Sequence, residues 1–113
     1  MIDTRGALEA AWLELTRRTL PELAAARAWP VRADHCFQRI LLDNATGNVW
    51  YRTIRERPAY RHAERAVLER AIALGAAAVA GEVDLHALNH RSLAWRRQAK
   101  ASASRSSDPV SRA

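Results

Sequence analysis

The stretch DHCFQRILLDNATG, residues 34–47, decides the predicted fold because it carries a helical apolar pattern between two helix-boundary residues. Its apolar positions at helical spacing are Phe37, Ile40 and Leu41. That period is typical of a helix that buries one face. Asp34 suits the N-cap, and Gly47 suits the left-handed position after a helix. The stretch therefore predicts a helix over residues 35–45.

The rest of the chain repeats this pattern and shows no strand-like alternation. Further helices are predicted over 4–18, 20–28, 59–80 and 85–97, with 48–56 as a short helix or irregular segment. Thr4 can cap the first helix, and Thr19 with Glu22 predicts a fresh start for the second. Trp12 and Trp29 are interpreted as core anchors. The prediction is an all-α, single-domain bundle of about five helices.

Domain boundaries follow from composition. Residues 1–97 form the predicted helical domain, whereas residues 98–113 consist largely of Ala, Ser and Arg. Such a segment has little apolar surface to bury, so a disordered C-terminal tail is predicted.

Length, charge and composition also indicate where in the cell the protein is expected. The chain has 113 residues, a net charge of +6 and one Cys. No apolar run reaches the roughly 20 residues of a membrane span, and the N-terminus lacks the pattern of a signal peptide. We expect a cytoplasmic protein without membrane partners. The preference for Arg and Ala is typical of a GC-rich bacterial genome, so a bacterial source is expected.

A polar stripe lies beside the apolar stripe of the 34–47 helix. His35, Arg39 and Asp43 stand at i, i+4 and i+8 and are the candidate catalytic residues. In this hypothesis His35 is the acid or base, Arg39 or Arg57 binds an anion, and Asp43 orients them. The candidate ligand-binding residues around them are Cys36, Asn44, Trp50, Tyr51, Arg57 and Tyr60. The alternative is an ion-pair network that only fixes helix packing.

Two further groups have the residue types of reactive or metal sites. Cys36 lies near a helix N-terminus, but neighbouring helical residues point about 100° apart, so His62 or His90 would be a better base than His35. An inert buried Cys is the alternative.

His86 and His90 share one helical face and are weak candidate metal ligands, because a third ligand must come from elsewhere. The chain has no nucleotide-binding motif, so its cofactors stay unknown.

Basic residues support an alternative function. One group surrounds Pro58 and a second ends the last helix: Arg52, Arg55, Arg57, Arg61 and Arg65, then Arg91, Arg96, Arg97 and Lys100. Arg beside aromatic residues can bind phosphates and stack on bases. The first prediction is thus a pocket that binds, or binds and acts on, a small anionic ligand; the alternative is a nucleic-acid- or protein-binding accessory. A third hypothesis is a homo-oligomer that meets through the Ala-rich segment 75–80.

The motif DHCF-x-RI-x-LDN resembles a family of small uncharacterised microbial proteins, together with Trp50, Pro58-Ala59-Tyr60, Leu88-Asn89 and Ser92-Leu93-Ala94-Trp95-Arg96. The resemblance covers about residues 30–97, and some members carry the label acetyltransferase-related. That label implies a mixed sheet and a glycine-rich turn for acetyl-CoA. This chain has four scattered Gly and no predicted strand, so we do not expect it to transfer acetyl groups alone.

Overall fold

Helices, and no strand, make up the regular structure of residues 4–106, the part of the chain that the computed structural model describes. The helices are α1 Arg5–Glu14, α2 Leu20–Ala24, α3 Asp34–Thr46, α4 Ala59–His62, α5 Arg65–Val79 and α6 Leu85–Ser106. Every helix in this part of the chain is too short or too polar to cross a bilayer. The predicted all-α class is confirmed.

A π-helical turn over Leu15–Thr19 joins α1 to α2 in one continuous rod. Proline inside a helix crowds the carbonyl four residues earlier, which for Pro21 belongs to Arg17. The wider π turn opens the rod at that point, so the helix continues. The predicted fresh start at Thr19 is therefore wrong, and its hydroxyl instead donates to Glu14 O at 3.4 Å. The predicted cap at Thr4 is confirmed, since its Oγ1 accepts from the Ala7 N–H at 3.0 Å.

The rod ends earlier than predicted. α2 stops at Ala24, and Ala28 adopts a left-handed φ of 53°. This turn lets the Trp29 N–H donate to Ala24 O at 3.0 Å and places the Trp29 ring in the core. Trp12 is also buried, so both predicted core anchors are confirmed.

Helix α3 lies at the centre, packed against α5 and α6. Its apolar positions Phe37, Ile40 and Leu41 are fully buried. Gly47 has a φ of 79° and ends the helix as predicted. Ala33, rather than Asp34, occupies the N-cap position, and the Asp34 carboxylate accepts from the adjacent His35 N–H at 2.7 Å.

The predicted helix over 59–80 is divided into α4 and α5 because Ala63 and Glu64 are extended. Ala63 is buried, and its carbonyl accepts from Arg5 Nη2 at 2.8 Å. This long-range contact stabilises the break in the helix. The apolar spacing within residues 59–80 could not predict this contact, because Arg5 lies on another helix.

Close helix packing occurs at Gly75, in the Ala-rich end of α5. A Cβ on Gly75 would lie 2.5 Å from Leu15 Cδ2 and 3.1 Å from Leu41 Cδ1. Gly75 and Ala78 are buried against other parts of the same chain, whereas Ala76 and Ala80 are exposed. Gly75 and Ala78, two of the small residues of this segment, thus serve packing within the chain.

Gly75→Leu is expected to lower the free energy of unfolding by about 1–3 kcal/mol, because overpacking outweighs the gain of up to about 1 kcal/mol from removing a helical glycine. Urea denaturation followed by circular dichroism measures the change. Ala76→Leu is the matched control, since residue 76 is exposed on the same helix. Equal stability of the two variants would contradict the close packing.

Helix α6 continues to Ser106, so the predicted helix end at Arg97 is wrong. Ala has the highest helix propensity and Lys and Arg are close behind, so a segment without apolar residues can still extend an existing helix. Residues 98–106, assigned above to the tail, belong to α6. The rest of the predicted disordered tail, residues 107–113, lies outside the described residues.

Candidate functional site

The buried carboxylate of Asp43 joins three parts of the structure. Ser92 Oγ donates to Oδ2 at 2.6 Å, and Arg96 Nε donates to the same oxygen at 2.8 Å. Oδ1 accepts from the Trp50 N–H at 2.9 Å and from Arg96 Nη2 at 3.2 Å. Asp43 has no exposed surface. It therefore ties α3 to α6 and to the 3₁₀ turn Trp50–Arg52.

Arg39, one helical turn before Asp43, also faces α6 but binds neutral oxygens. Its Nη1 donates to Ser92 Oγ and its Nη2 to Asn89 Oδ1, both at 2.8 Å. Arg39 and Asp43, which share the polar stripe, are therefore linked only indirectly by the hydrogen bonds of Ser92. Arg96 forms the ion pair with Asp43, and the Ser92 hydroxyl links Arg39 to the carboxylate.

This arrangement leaves positive charge in excess. Arg39 and Arg96 together carry two positive charges, and Asp43 carries one negative charge. Burial lowers the pKa of the Arg39 guanidinium, and the nearby charge of Arg96 lowers it further, while Cys36 and Asp43 act in the opposite direction. Arginine still remains charged at neutral pH. A partly desolvated cation thus stands beside neutral hydrogen-bond acceptors.

A cleft of about 290 Å³ opens in front of Arg39. Its walls come from α1, the π turn, α3, the 3₁₀ turn and the start of α4 with the two residues before it. The lining residues are Trp12, Arg17, His35, Gln38, Arg39, Leu42, Trp50, Arg57, Pro58, Ala59 and Tyr60. Three are Arg, three are aromatic, and none of these described residues is acidic. The cleft combines positive charge with flat apolar walls.

Contacts around the cleft fix several of its walls. The guanidinium of Arg57 lies 5.1 Å from the Trp50 ring centroid, a cation–π distance. Arg5 Nη2 donates to Tyr60 O at 2.8 Å and so holds α4 against α1. Gln38 Nε2 donates to Thr16 Oγ1 at 3.0 Å, which ties α3 to the π turn. Arg17 lies 3.9 Å from Asp34 in an exposed pair, whose attraction is weak in water.

The structure brings together only part of the predicted site. His35, Arg39, Trp50, Arg57 and Tyr60 line the cleft. The predicted residues that do not line it are Cys36, Asp43, Asn44 and Tyr51. His35 lies at the mouth with 81% of its side chain exposed, and its ring stands 3.7 Å from Asp34. The side chains of the predicted stripe therefore differ in exposure: His35 is mostly exposed, whereas Asp43 is fully buried.

Each of the predicted residues outside the cleft has another environment. Asn44 Nδ2 donates to Ile40 O and Leu88 O, so this amide joins α3 to α6. Tyr51 is 43% exposed, with Arg96 5.7 Å from its ring centroid. Cys36 is a half-buried free thiol. None of the three is among the residues that line the cleft.

His86, one of the two candidate metal ligands, faces other groups. Its Nδ1 lies 3.3 Å from Asp84 Oδ1, and its Nε2 lies 3.2 Å from Ala28 O. Within the described residues no group of three His, Cys, Asp or Glu side chains could hold a metal ion. The third ligand that His86 and His90 would need is therefore not found there.

Sequence reasoning missed several residues of the site, including Arg17, Gln38, Asn89 and Ser92. A signal was present in α6. Asn89, Ser92 and Arg96 follow one another at i, i+3 and i+7, which places polar groups on the helix face that also carries Leu85 and Leu88. Polar residues within an otherwise apolar stripe indicate a buried hydrogen-bond network with the neighbouring helix.

Comparison with protein-family models, with curated proteins and with solved structures gave no match. The resemblance to small microbial proteins described above therefore stays a prediction, and the chemistry of the cleft has to be argued from its own residues.

Proposed function

We propose that this protein binds a small organic anion in the cleft between the π turn, α3 and α4. The observation that carries the proposal is the state of Arg39. Its guanidinium is partly buried and donates to the neutral oxygens of Ser92 and Asn89, with the Cys36 side chain also within hydrogen-bond reach. An anionic ligand would supply the counter-charge, and charge-assisted hydrogen bonds are the stronger ones.

Two other guanidinium groups support an anion at the same place. Arg17 and Arg57 also line the cleft, and no Asp or Glu is among the described lining residues. Guanidinium groups match carboxylate and phosphate geometry through paired donors. A carboxylate or phosphate group is therefore the best-supported polar part of the ligand.

The remaining walls favour a flat apolar part in the same ligand. Trp12, Trp50 and Tyr60 line the cleft together with Leu42 and Pro58. A volume of about 290 Å³ lies at the lower end of ligand pockets, which suits one ring rather than an extended cofactor. The proposed class is a single-ring carboxylate or phosphate ester.

Binding is the core of the proposal, and catalysis is an extension of it. His35 stands at the mouth of the cleft, where an imidazole could exchange a proton with a bound ligand. Asp43 does not line the cleft. It is proposed as a positioning residue that holds Arg39 through Ser92. A bacterial cytoplasmic setting, as expected from the composition, is part of the same proposal.

Titration with phenyl phosphate tests the binding proposal through the intrinsic tryptophan fluorescence, to which Trp12 and Trp50 at the cleft walls contribute. Arg57→Ala is expected to weaken binding at least about 10-fold, because a hydrogen bond to a charged group contributes about 1.5–3 kcal/mol. Inorganic phosphate and phenol, the two halves of the probe, are each expected to bind more weakly than the whole.

Arg55→Ala is the matched control, since this exposed arginine is two residues away and does not line the cleft. Circular dichroism of both variants reports whether the fold is kept. No saturable binding by the wild type, or an equal loss in both variants, would contradict the proposed cleft site.

A further inference from the structure

Helix α6 is much longer than its packed part. Over residues 85–103, whose side chains the structure describes, the buried ones are Leu85, Leu88, Asn89 and Ser92, all in the first eight positions of the helix. From Arg97 to residue 103 the side chains are exposed, apart from a half-buried Ala99. Residues 97–103 of α6 thus contribute little to the core.

The charge of α6 is entirely positive. Residues 85–106 contain five Arg or Lys and no Asp or Glu. Arg96 is neutralised by Asp43, but Arg97 and Lys100 are exposed beyond it. Cations near a helix C-terminus also stabilise the helix dipole, and that effect alone could account for charges on α6. The dipole of α6 does not explain why a basic residue of another element also lies beside the exposed part of α6.

Arg52 of the 3₁₀ turn is such a residue. Between it and α6 lies a groove of about 360 Å³, lined by Asn48, Arg52, Gln98, Ala99, Ala101 and Ser102. Its polar side chains all include hydrogen-bond donors, and none of these described lining residues is acidic. The Ala and Ser side chains are small, so a ligand can approach the helix backbone closely.

We propose that this groove and the exposed half of α6 bind the phosphate backbone of a nucleic acid. Arg52, Arg97 and Lys100 would neutralise successive phosphates, and Asn48, Gln98 and Ser102 would donate to phosphate oxygens. Tyr51 is 43% exposed beside the groove-forming Arg52, and an aromatic ring there can stack on an unpaired base. This site is separate from the anion cleft and does not depend on it.

A nucleic acid fits this surface better than a lipid membrane does. A helix that lies in a membrane surface needs a broad apolar face beside its basic face. The large exposed apolar side chains among the described residues are Tyr51 and Leu93, and the second half of α6 adds only Ala. The exposed surface therefore offers charge and hydrogen-bond donors without an apolar face.

Fluorescence anisotropy with a labelled oligonucleotide of about 20 nucleotides, single-stranded in one arm and duplex in the other, tests the proposal on the full chain at two salt concentrations. With three neutralised phosphates, duplex affinity is expected to fall about 40-fold between about 50 and 200 mM salt. Tighter binding of the single strand would indicate that Tyr51 stacks on bases, and tighter binding of the duplex would indicate contacts to phosphates alone.

The decisive comparison uses two triple variants with the same loss of charge. The triple variant with Arg52→Ala, Arg97→Ala and Lys100→Ala is expected to bind at least about 10-fold more weakly and to lose most of the salt dependence. The control changes three exposed arginines on other elements: Arg18→Ala, Arg32→Ala and Arg65→Ala. It is expected to bind nearly as well as the wild type.

All six substituted side chains are exposed, and circular dichroism checks that both triple variants keep their helices. Absence of binding at low salt would overturn the proposal. An equal loss in the two triple variants would overturn it too, because bulk charge rather than this groove would then be responsible. So would binding to anionic vesicles by a protein that binds neither oligonucleotide.

Discussion

Asp43→Ala is expected to lower the free energy of unfolding by about 3–5 kcal/mol, a large part of the stability of a small domain. The carboxylate is fully buried and accepts hydrogen bonds from Ser92, Arg96 and the Trp50 N–H. Its removal leaves a partly buried guanidinium without its counter-charge and a buried hydroxyl without its acceptor. Urea denaturation followed by circular dichroism measures the loss.

Glu69→Ala is the control for Asp43→Ala. Glu69 also accepts from an arginine, with Arg65 Nε at 3.0 Å, but its side chain is half exposed. Exposed ion pairs contribute about 0–1 kcal/mol, so the control is expected to stay close to the wild type. If the two variants lose the same stability, Asp43 is not the buried centre that joins α3 to α6.

Phe37→Ala is expected to cost about 3–5 kcal/mol of unfolding free energy. The Phe37 ring is fully buried, and its centroid lies 5.9 Å from that of Trp29 in an edge-to-face arrangement. The substitution removes this contact and leaves a cavity between α3 and the turn that follows α2. Chemical denaturation measures the cost, and a change in tryptophan emission would report the altered surroundings of Trp29.

Phe37→Leu is the companion variant, because it keeps most of the apolar volume and has an expected cost below about 1.5 kcal/mol. A cost below about 1 kcal/mol for Phe37→Ala would mean that the space beside Trp29 collapses or is filled, contrary to a close-packed core.

These two positions lie on one helix and differ in how far they could be predicted. Phe37 belongs to an apolar stripe that periodicity identifies from one segment alone. Asp43 lies on the neighbouring polar stripe, but its burial depends on Ser92 and Arg96, which lie about fifty positions later in the chain. No spacing within residues 34–47 contains that information.

The residues of the candidate site also differ in how far they could be predicted from the sequence. His35, Arg39, Trp50, Arg57 and Tyr60 were proposed from residue type and neighbourhood, and the structure places them around one cleft. Arg17 was not proposed, because its position depends on the π turn that accommodates Pro21. The metal hypothesis for His86 and His90 depended on a third ligand from another helix, and no such group of three occurs among the described residues.

Local signals by themselves determined the helical class, the extent of α3, the cap at Thr4 and the left-handed end at Gly47. These features depend on neighbouring residues and on steric limits of the backbone, which the sequence contains directly. Tertiary structure decided that α1 continues into α2, that α6 extends to Ser106 and that Asp43 is buried while His35 is exposed. Helical periodicity fixes the angles between side chains on one helix, but only the packing of helices against one another decides which face meets a partner and which meets water.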